Sequence, residues 1–351
     1  MLPMIGDLHL GEGRGSELVM KHQLDYLSEV FIPYLWRNNI KVFLQSGDLF
    51  DVRATTNTFV LSEWKRRFFD VLELHDIKMY TIIGNHDMFY KNKISPNSIT
   101  EHLSGYSNIT IIDKATEVTI GEVKFLFCPW ICDENEEQVM DAIQNSDADV
   151  CFGHFEVKGA RMESSVCTDG LAISTFNRFK LCVSGHFHSA GKYDNIQYLG
   201  TCYQMTWGDF GHEKGFWNLD TSNLKMEFIK NNKEIYHRIT YNENKSMDAI
   251  IEGVDYRDQH IKVTIEERED FNKYEAWFMK LDCCGAATLT VIEPFIDRDG
   301  DECDVDVEGE LTVQSTKDLI KEYVDQIYPE RKDALTKLML SIHSTAQKLN
   351  P

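Results

Sequence analysis

The chain has 351 residues, 42% of them hydrophobic and 26% charged, which is ordinary for a soluble globular protein with one large core and a smaller domain. No apolar run approaches the roughly 20 residues needed to span a bilayer, and residues 1–9 lack the basic region of a signal peptide, so no membrane association is expected. The formal net charge of −21 argues against unaided binding to a phosphate backbone, although bound cations or a basic partner reverse that sign locally. The nine cysteines are scattered and form no paired zinc knuckle, so they are expected to be reduced thiols, many buried in strands.

Residues 1 to about 240 alternate short strands with helices. Residues 3–6 end a first strand, and the motif Asp7-Leu8-His9 follows. Met20, Leu24, Leu27, Phe31 and Leu35 repeat at helical spacing over 17–38, and Pro33 should kink or divide that helix. A buried strand over 40–45 leads into Gly47-Asp48-Leu49-Phe50-Asp51. A helix over 58–75 and a strand over 78–83 lead into Gly84-Asn85-His86-Asp87. Strands over 123–127, 149–152 and 180–184 follow, and the last two run into Gly153-His154 and Gly185-His186-Phe187-His188. Residues 215–229 read as a hairpin, and the polar segment 230–245 as a linker. Residues 261–265, 271–281 and 287–292 read strand, helix, strand. An acidic stretch over 297–310 and two helical segments, about 316–328 and 330–348, close the chain.

The five motifs thus sit at the carboxyl ends of strands, where open α/β sheets assemble their sites. Asp7 and His9 are two apart on an extended segment and share a face, as do His186 and His188. Asp48 is the natural carboxylate to bridge two cations; Asn85 adds a neutral carbonyl and His154 a third imidazole. Hard oxygen and imidazole donors in this number suit two adjacent divalent cations and phosphate-ester hydrolysis. His86 differs: its neighbour is a ligand, and its own ring is placed to protonate a leaving alkoxide. Either Asp51 or Asp87 could orient it. His212, in a nearby loop, stays unassigned. The remaining histidines read as ordinary core or surface residues. Asp297, Asp299, Asp301 and Glu308 imitate a calcium loop, but Gly300 stands where that loop does not want it, so the segment reads as an acidic linker.

Taken together, these motifs resemble the calcineurin-like metallophosphoesterase superfamily. With Pro129-Trp130, Gly153-His154-Phe155-Glu156 and Lys214-Gly215-Phe216-Trp217, they look like the SbcD-like nucleases, above all the bacteriophage recombination endonuclease subunits. The resemblance implies an α/β fold: a four-layer αββα sandwich over 1–240, a small α+β capping domain over 241–295, an acidic linker over 296–315, and C-terminal helices over 316–351 that dock an ATPase. It implies that Asp7, His9, Asp48 and His188 hold one divalent ion, manganese before magnesium. Asp48, Asn85, His154 and His186 would hold the other, with His86 the catalytic histidine. The implied activity is DNA cleavage, exonucleolytic at duplex ends and endonucleolytic on single strands. The implied partners are DNA, an SbcC-like coiled-coil ATPase and a second copy of the chain, in the cytoplasm, that of an infected bacterial host for a phage-encoded chain. Homodimer contacts would come from residues 58–75, with Phe59, Trp64, Phe68 and Phe69, and from 98–106. Gly6 stands where many relatives carry serine. The competing expectation is a phosphatase or cyclic-nucleotide phosphodiesterase built on the same two-metal core.

Overall fold

Two six-stranded sheets stack face to face and carry helices on their outer faces. The computed structural model describes residues 1–162, 165–292 and 335–339. The acidic linker and most of the C-terminal helices expected from the sequence lie outside these residues. The described residues up to Ile292 form one compact unit.

The first sheet runs in the spatial order Lys225–Lys230, Gly215–Asp220, Leu2–Ile5, Val42–Gln45, Lys78–Ile82, Ile109–Ile112. Its first two pairings are antiparallel and the other three parallel. The second sheet runs Gly191–Tyr193, Ile196–Tyr198, Leu181–Gly185, Val150–His154, Val123–Cys128, Thr116–Ile120, parallel except at its two edges. Alternation within the strands assigns the layers. Leu2, Met4, Leu44, Phe125, Phe127, Phe152 and Val183 fill the space between the sheets. Ile5 and Phe43 face the helices of the first sheet. Leu126, Cys128, Cys151 and Cys182 face helix Glu136–Asn145 on the second. Burying each large side chain of this kind contributes about 1.5–3 kcal/mol. Six cysteines, among them those three, are buried free thiols.

The helical segment begins at Glu17, where Ser16 caps it by accepting the Val19 amide, and Pro33 divides it as expected. Proline cannot donate to the carbonyl four residues back and its ring crowds that carbonyl. The turn Leu27–Phe31 widens to the five-residue spacing, with the Ile32 amide bonded to the Leu27 carbonyl, and Ile32–Arg37 continues beyond it. The helix expected over 58–75 is likewise interrupted by a wide turn, Lys65–Phe69. Trp64, Phe68 and Phe69 are wholly buried in the chain's own core; of the four aromatics assigned to a dimer surface only Phe59 is exposed.

Residues 236–242, expected within a polar linker, form instead the strand Tyr236–Asn242. It pairs in parallel with His260–Glu267, which pairs in parallel with Thr288–Ile292, and helix Phe271–Asp282 makes the crossover. Arg238 and Thr240 on one face are exposed, which hid the alternation of Ile239 and Tyr241, both buried. Strands Ile109–Ile112, Thr116–Ile120, Gly191–Tyr193 and Ile196–Tyr198 and helix Glu136–Asn145 also went unread in the sequence.

Candidate metal centre

The loops after Leu2–Ile5, Val42–Gln45, Lys78–Ile82, Val150–His154 and Leu181–Gly185 meet at one end of the sandwich and bring all five motifs together. Their backbones are locally forced. His9, Asp48 and His186 all have positive φ, at 43°, 49° and 85°, a conformation that costs about 1–3 kcal/mol for a residue with a side chain. The chain approaches itself so closely that a Cβ at Gly84 would stand 2.2 Å from the Asp48 amide nitrogen. A Cβ at Gly6 would stand 1.8 Å from the Gly200 carbonyl oxygen, so a serine there would require the backbone to move.

Two groups of ligand atoms converge. Asp7, His9 and His188 form one, and Asp48, His154 and His186 the other; a third grouping, His9 with Asp51 and His86, overlaps the first at His9. Asn85 joins the second, its Oδ1 lying 3.0 Å from both His154 Nε2 and His186 Nδ1. Asp48 Oδ2 lies between them, 3.2 Å from His154 Nε2 and 4.0 Å from His9 Nε2. The donor chemistry fits cations. His154 Nδ1 donates to the Ser46 carbonyl at 2.7 Å, so Nε2 of the neutral ring is a lone pair aimed at two other acceptors. His9 Nε2 and His188 Nε2 face each other at 3.1 Å. Such juxtapositions are repulsive without a proton or a metal ion between them.

Electrostatics within the chain show the same demand. Burial pushes the Asp7 carboxyl up to about 6, against the opposing pull of His154. Burial by itself would lower His9, but Asp51, Asp48 and Asp7 raise it to about 9. His154 is raised to about 9 by Asp48 and Asp7 against the same burial cost. His186 and His188 are lowered to about 3 and about 4, mainly by burial and then by the neighbouring His154 and His9 respectively. Asp48 stays ionised in spite of burial because His154 and His9 surround it.

His86 lies beside these groups, its ring 4.9 Å from that of His9. Its Nδ1 donates to the main-chain oxygen of Asp51 at 2.6 Å, which leaves Nε2 to exchange a proton with a ligand. The Asp51 carboxylate faces His9 Nδ1 at 3.2 Å. Asp87 reaches neither ring: its two oxygens accept the amides of Phe50 at 2.9 Å and Gly84 at 2.8 Å, tying the second motif to the third. His212 meets Ser189 at 3.2 Å, outside both ligand groups.

Several supporting residues had no role assigned from the sequence, although Trp130 and Lys214 lie in segments that carry the resemblance. Ser46 Oγ donates to Asp7 at 3.2 Å. Gln23, buried on its helix, donates to the carbonyls of Leu8 and His9, both at 3.1 Å. Lys214, buried against Asp209, donates to the His188 carbonyl at 3.0 Å and to Thr201 Oγ1 at 2.8 Å. Trp130 packs 5.0 Å from the His186 ring. A buried glutamine and a buried lysine are the legible signals, but only burial, which a sequence does not show, distinguishes them from surface residues.

Residues 4–190, which span all five motifs, match the model of the calcineurin-like phosphoesterase family. The chain belongs to that family. This calcineurin-like phosphoesterase is therefore a metal-dependent hydrolase of phosphate esters. It is 32% identical to exonuclease subunit 1 of Enterobacteria phage T4 over 324 residues, 92% of this chain and 91% of the relative. A putative phosphoesterase of Invertebrate iridescent virus 3 is 28% identical over 51% of this chain and 52% of its own. The SbcD component of the SbcCD nuclease of Staphylococcus epidermidis is 22% identical over 63% of this chain and 66% of its own.

Proposed function

We propose that this phosphoesterase is a manganese-dependent DNA nuclease subunit for end processing and recombination. It would act as an exonuclease on duplex ends and an endonuclease on single strands, in the cytoplasm of a bacterial host. The observation that carries the reading is the pair of adjacent ligand groups with Asp48 near both and His86 beside them, in a chain similar to the phage exonuclease subunit over 92% of its length. Asp7, His9, Asp48 and His188 would hold one ion, and Asp48, Asn85, His154 and His186 the other. Bound divalent ions supply Lewis acidity to the phosphoryl oxygens and to the attacking water. The protein's own residues do the rest. His86, fixed through Nδ1 by the Asp51 carbonyl, presents Nε2–H to the departing alkoxide oxygen. Asp51 and Asp87 act on this step indirectly, Asp51 through its carbonyl and Asp87 by bracing the loop that carries His86.

The phage and bacterial relatives are each named as one subunit of a nuclease, which supports a partner subunit; the proposed partner is a coiled-coil ATPase docked through residues 316–351, with residues 241–295 as a cap. Exposed Phe59 belongs to the surface proposed for a homodimer. Cleavage of DNA and of bis(p-nitrophenyl) phosphate, compared with Mn²⁺ and with Mg²⁺ and with and without the ATPase, tests the reading. Hydrolysis of the small ester with no DNA cleavage under any of these conditions would leave a small-substrate phosphodiesterase instead.

A further inference from the structure

Beyond His188 the chain passes through Ser189 and Ala190 into Gly191–Tyr193, the edge strand of the second sheet. Across the gap between the sheets lies Lys225–Lys230, the edge strand of the first. There the sandwich opens into a cleft of about 1000 Å³. Tyr193, Trp217 and Phe228 line it, all partly exposed. Their positions are fixed. Trp217 Nε1 donates to the Leu199 carbonyl at 3.1 Å, its ring lies 5.0 Å from that of Phe228, and the Tyr193 hydroxyl accepts the Arg161 amide at 2.8 Å. Arg161, Lys192 and Lys225 line the same cleft and are exposed, against one carboxylate, Glu213. Among the described residues neither Lys192 nor Lys225 is ion-paired. In a chain of net charge −21 this is a local reversal of sign, in a cleft whose lining includes Ser189, the neighbour of the candidate ligand His188.

We propose that this cleft is a subsite for an unpaired DNA strand, whose bases stack on Tyr193, Trp217 and Phe228 while its phosphates run past Arg161, Lys192 and Lys225 towards His188. The proposal rests on the nuclease reading and adds where the strand lies. Fixed aromatic faces beside mobile cations form the combination that binds single strands without regard to sequence, because every base has a π-face and every nucleotide a charge. A purely apolar protein segment would suit the aromatic surface but would leave the three cations without counter-charges.

The test uses the full chain in two ways. A single-stranded oligonucleotide carrying 5-iodouracil, irradiated with the Mn²⁺-loaded His86→Asn variant, should crosslink to Tyr193, Trp217 or Phe228, as read by peptide mass spectrometry. The double variant Lys192→Glu, Lys225→Glu should bind that strand about tenfold more weakly. Losing two phosphate contacts should lower the slope of log Kd against log salt by about 1.4. The ratio of single-strand to bis(p-nitrophenyl) phosphate cleavage should fall about tenfold. Crosslinks confined to other surfaces, or wild-type affinity and salt slope in the double variant, would overturn the subsite while leaving the nuclease reading intact. A wild-type chain that hydrolyses the small ester but neither binds nor cuts DNA would overturn both.

Discussion

Asp48 carries more of the site than any other side chain. It is buried and ionised, sits in a strained backbone conformation, and presents Oδ1 to the His86 amide at 2.7 Å and Oδ2 to the space between the two ligand groups. The His86 side chain lies outside both proposed ligand sets, and its amide only braces Asp48. These different attachments predict different losses. His86→Ala should lower kcat by about 10²–10⁴, the usual scale for a general acid, and leave about two Mn²⁺ bound per chain. Asp48→Ala should lose Mn²⁺ affinity together with activity. Calorimetric titration beside kinetics separates the two, and full activity in His86→Ala would remove the histidine from its role. Asp87 is predicted to act through stability. Its removal leaves two buried amides without acceptors, at about 1–3 kcal/mol each, so Asp87→Ala should shift the urea midpoint downward as well as lowering kcat. An unchanged midpoint would contradict that bracing role. The motifs made all of these residues legible in the sequence. The division of labour between Asp51 and Asp87 was not legible, because it depends on which oxygen the folded loop turns toward which amide.

Among the elements, the loop from Thr206 to Lys214 connects stability to the site. Asp209 accepts the Met205 and Thr206 amides and pairs with buried Lys214, which in turn holds the His188 carbonyl. Burial opposes ionisation of Asp209, but Lys214 and the two amides hold its pKa below the ordinary value. A depressed carboxylate contributes its full stability above the unfolded value, about 4, and loses it as pH falls further towards the folded value. Asp209→Asn should therefore be less stable at pH 7 by about 3–5 kcal/mol, since it strands a buried ammonium. It should also show a flatter loss of stability below about pH 4. Denaturation midpoints from pH 7 to pH 3 measure both, and parallel curves for variant and wild type would refute the linkage. Long amphipathic helices were readable from their spacing, and Pro33 marked the interruption correctly. The wide turn at Lys65–Phe69 has no proline to announce it. Tyr236–Asn242 was misread because a strand with one wet face has the composition of a linker.

For the molecule as a whole, burial of the candidate ligands predicts that metal binding contributes to folding stability. Asp7 and Asp48 bring carboxylates together under the sheets, and His9 and His154 are drawn towards protonation to relieve them. An ion that binds the folded state alone stabilises it by about 2.7 kcal/mol at a hundredfold excess over Kd. Mn²⁺ should accordingly raise the melting temperature by several degrees and a chelator should reverse the rise, with Asp48→Ala losing most of the response. A scan indifferent to metal would count against ligands at these positions.

The sequence by itself determined the chemistry. Aspartate, asparagine and histidine placed just past apolar strands have no packing purpose, and their order resembles one family. It also indicated alternating strands and helices, through runs of buried strand separated by helical spacing, while the sandwich was implied by the resemblance. The tertiary structure alone decided which atom faces which. It set two imidazole nitrogens against each other at 3.1 Å, gave His86 its carbonyl anchor, buried Lys214 under the His188 loop, and opened a cation-rimmed cleft between two edge strands far apart in the chain. Those relations join residues tens to hundreds of positions apart. They arise from how the sheets twist and stack, which local pattern does not encode.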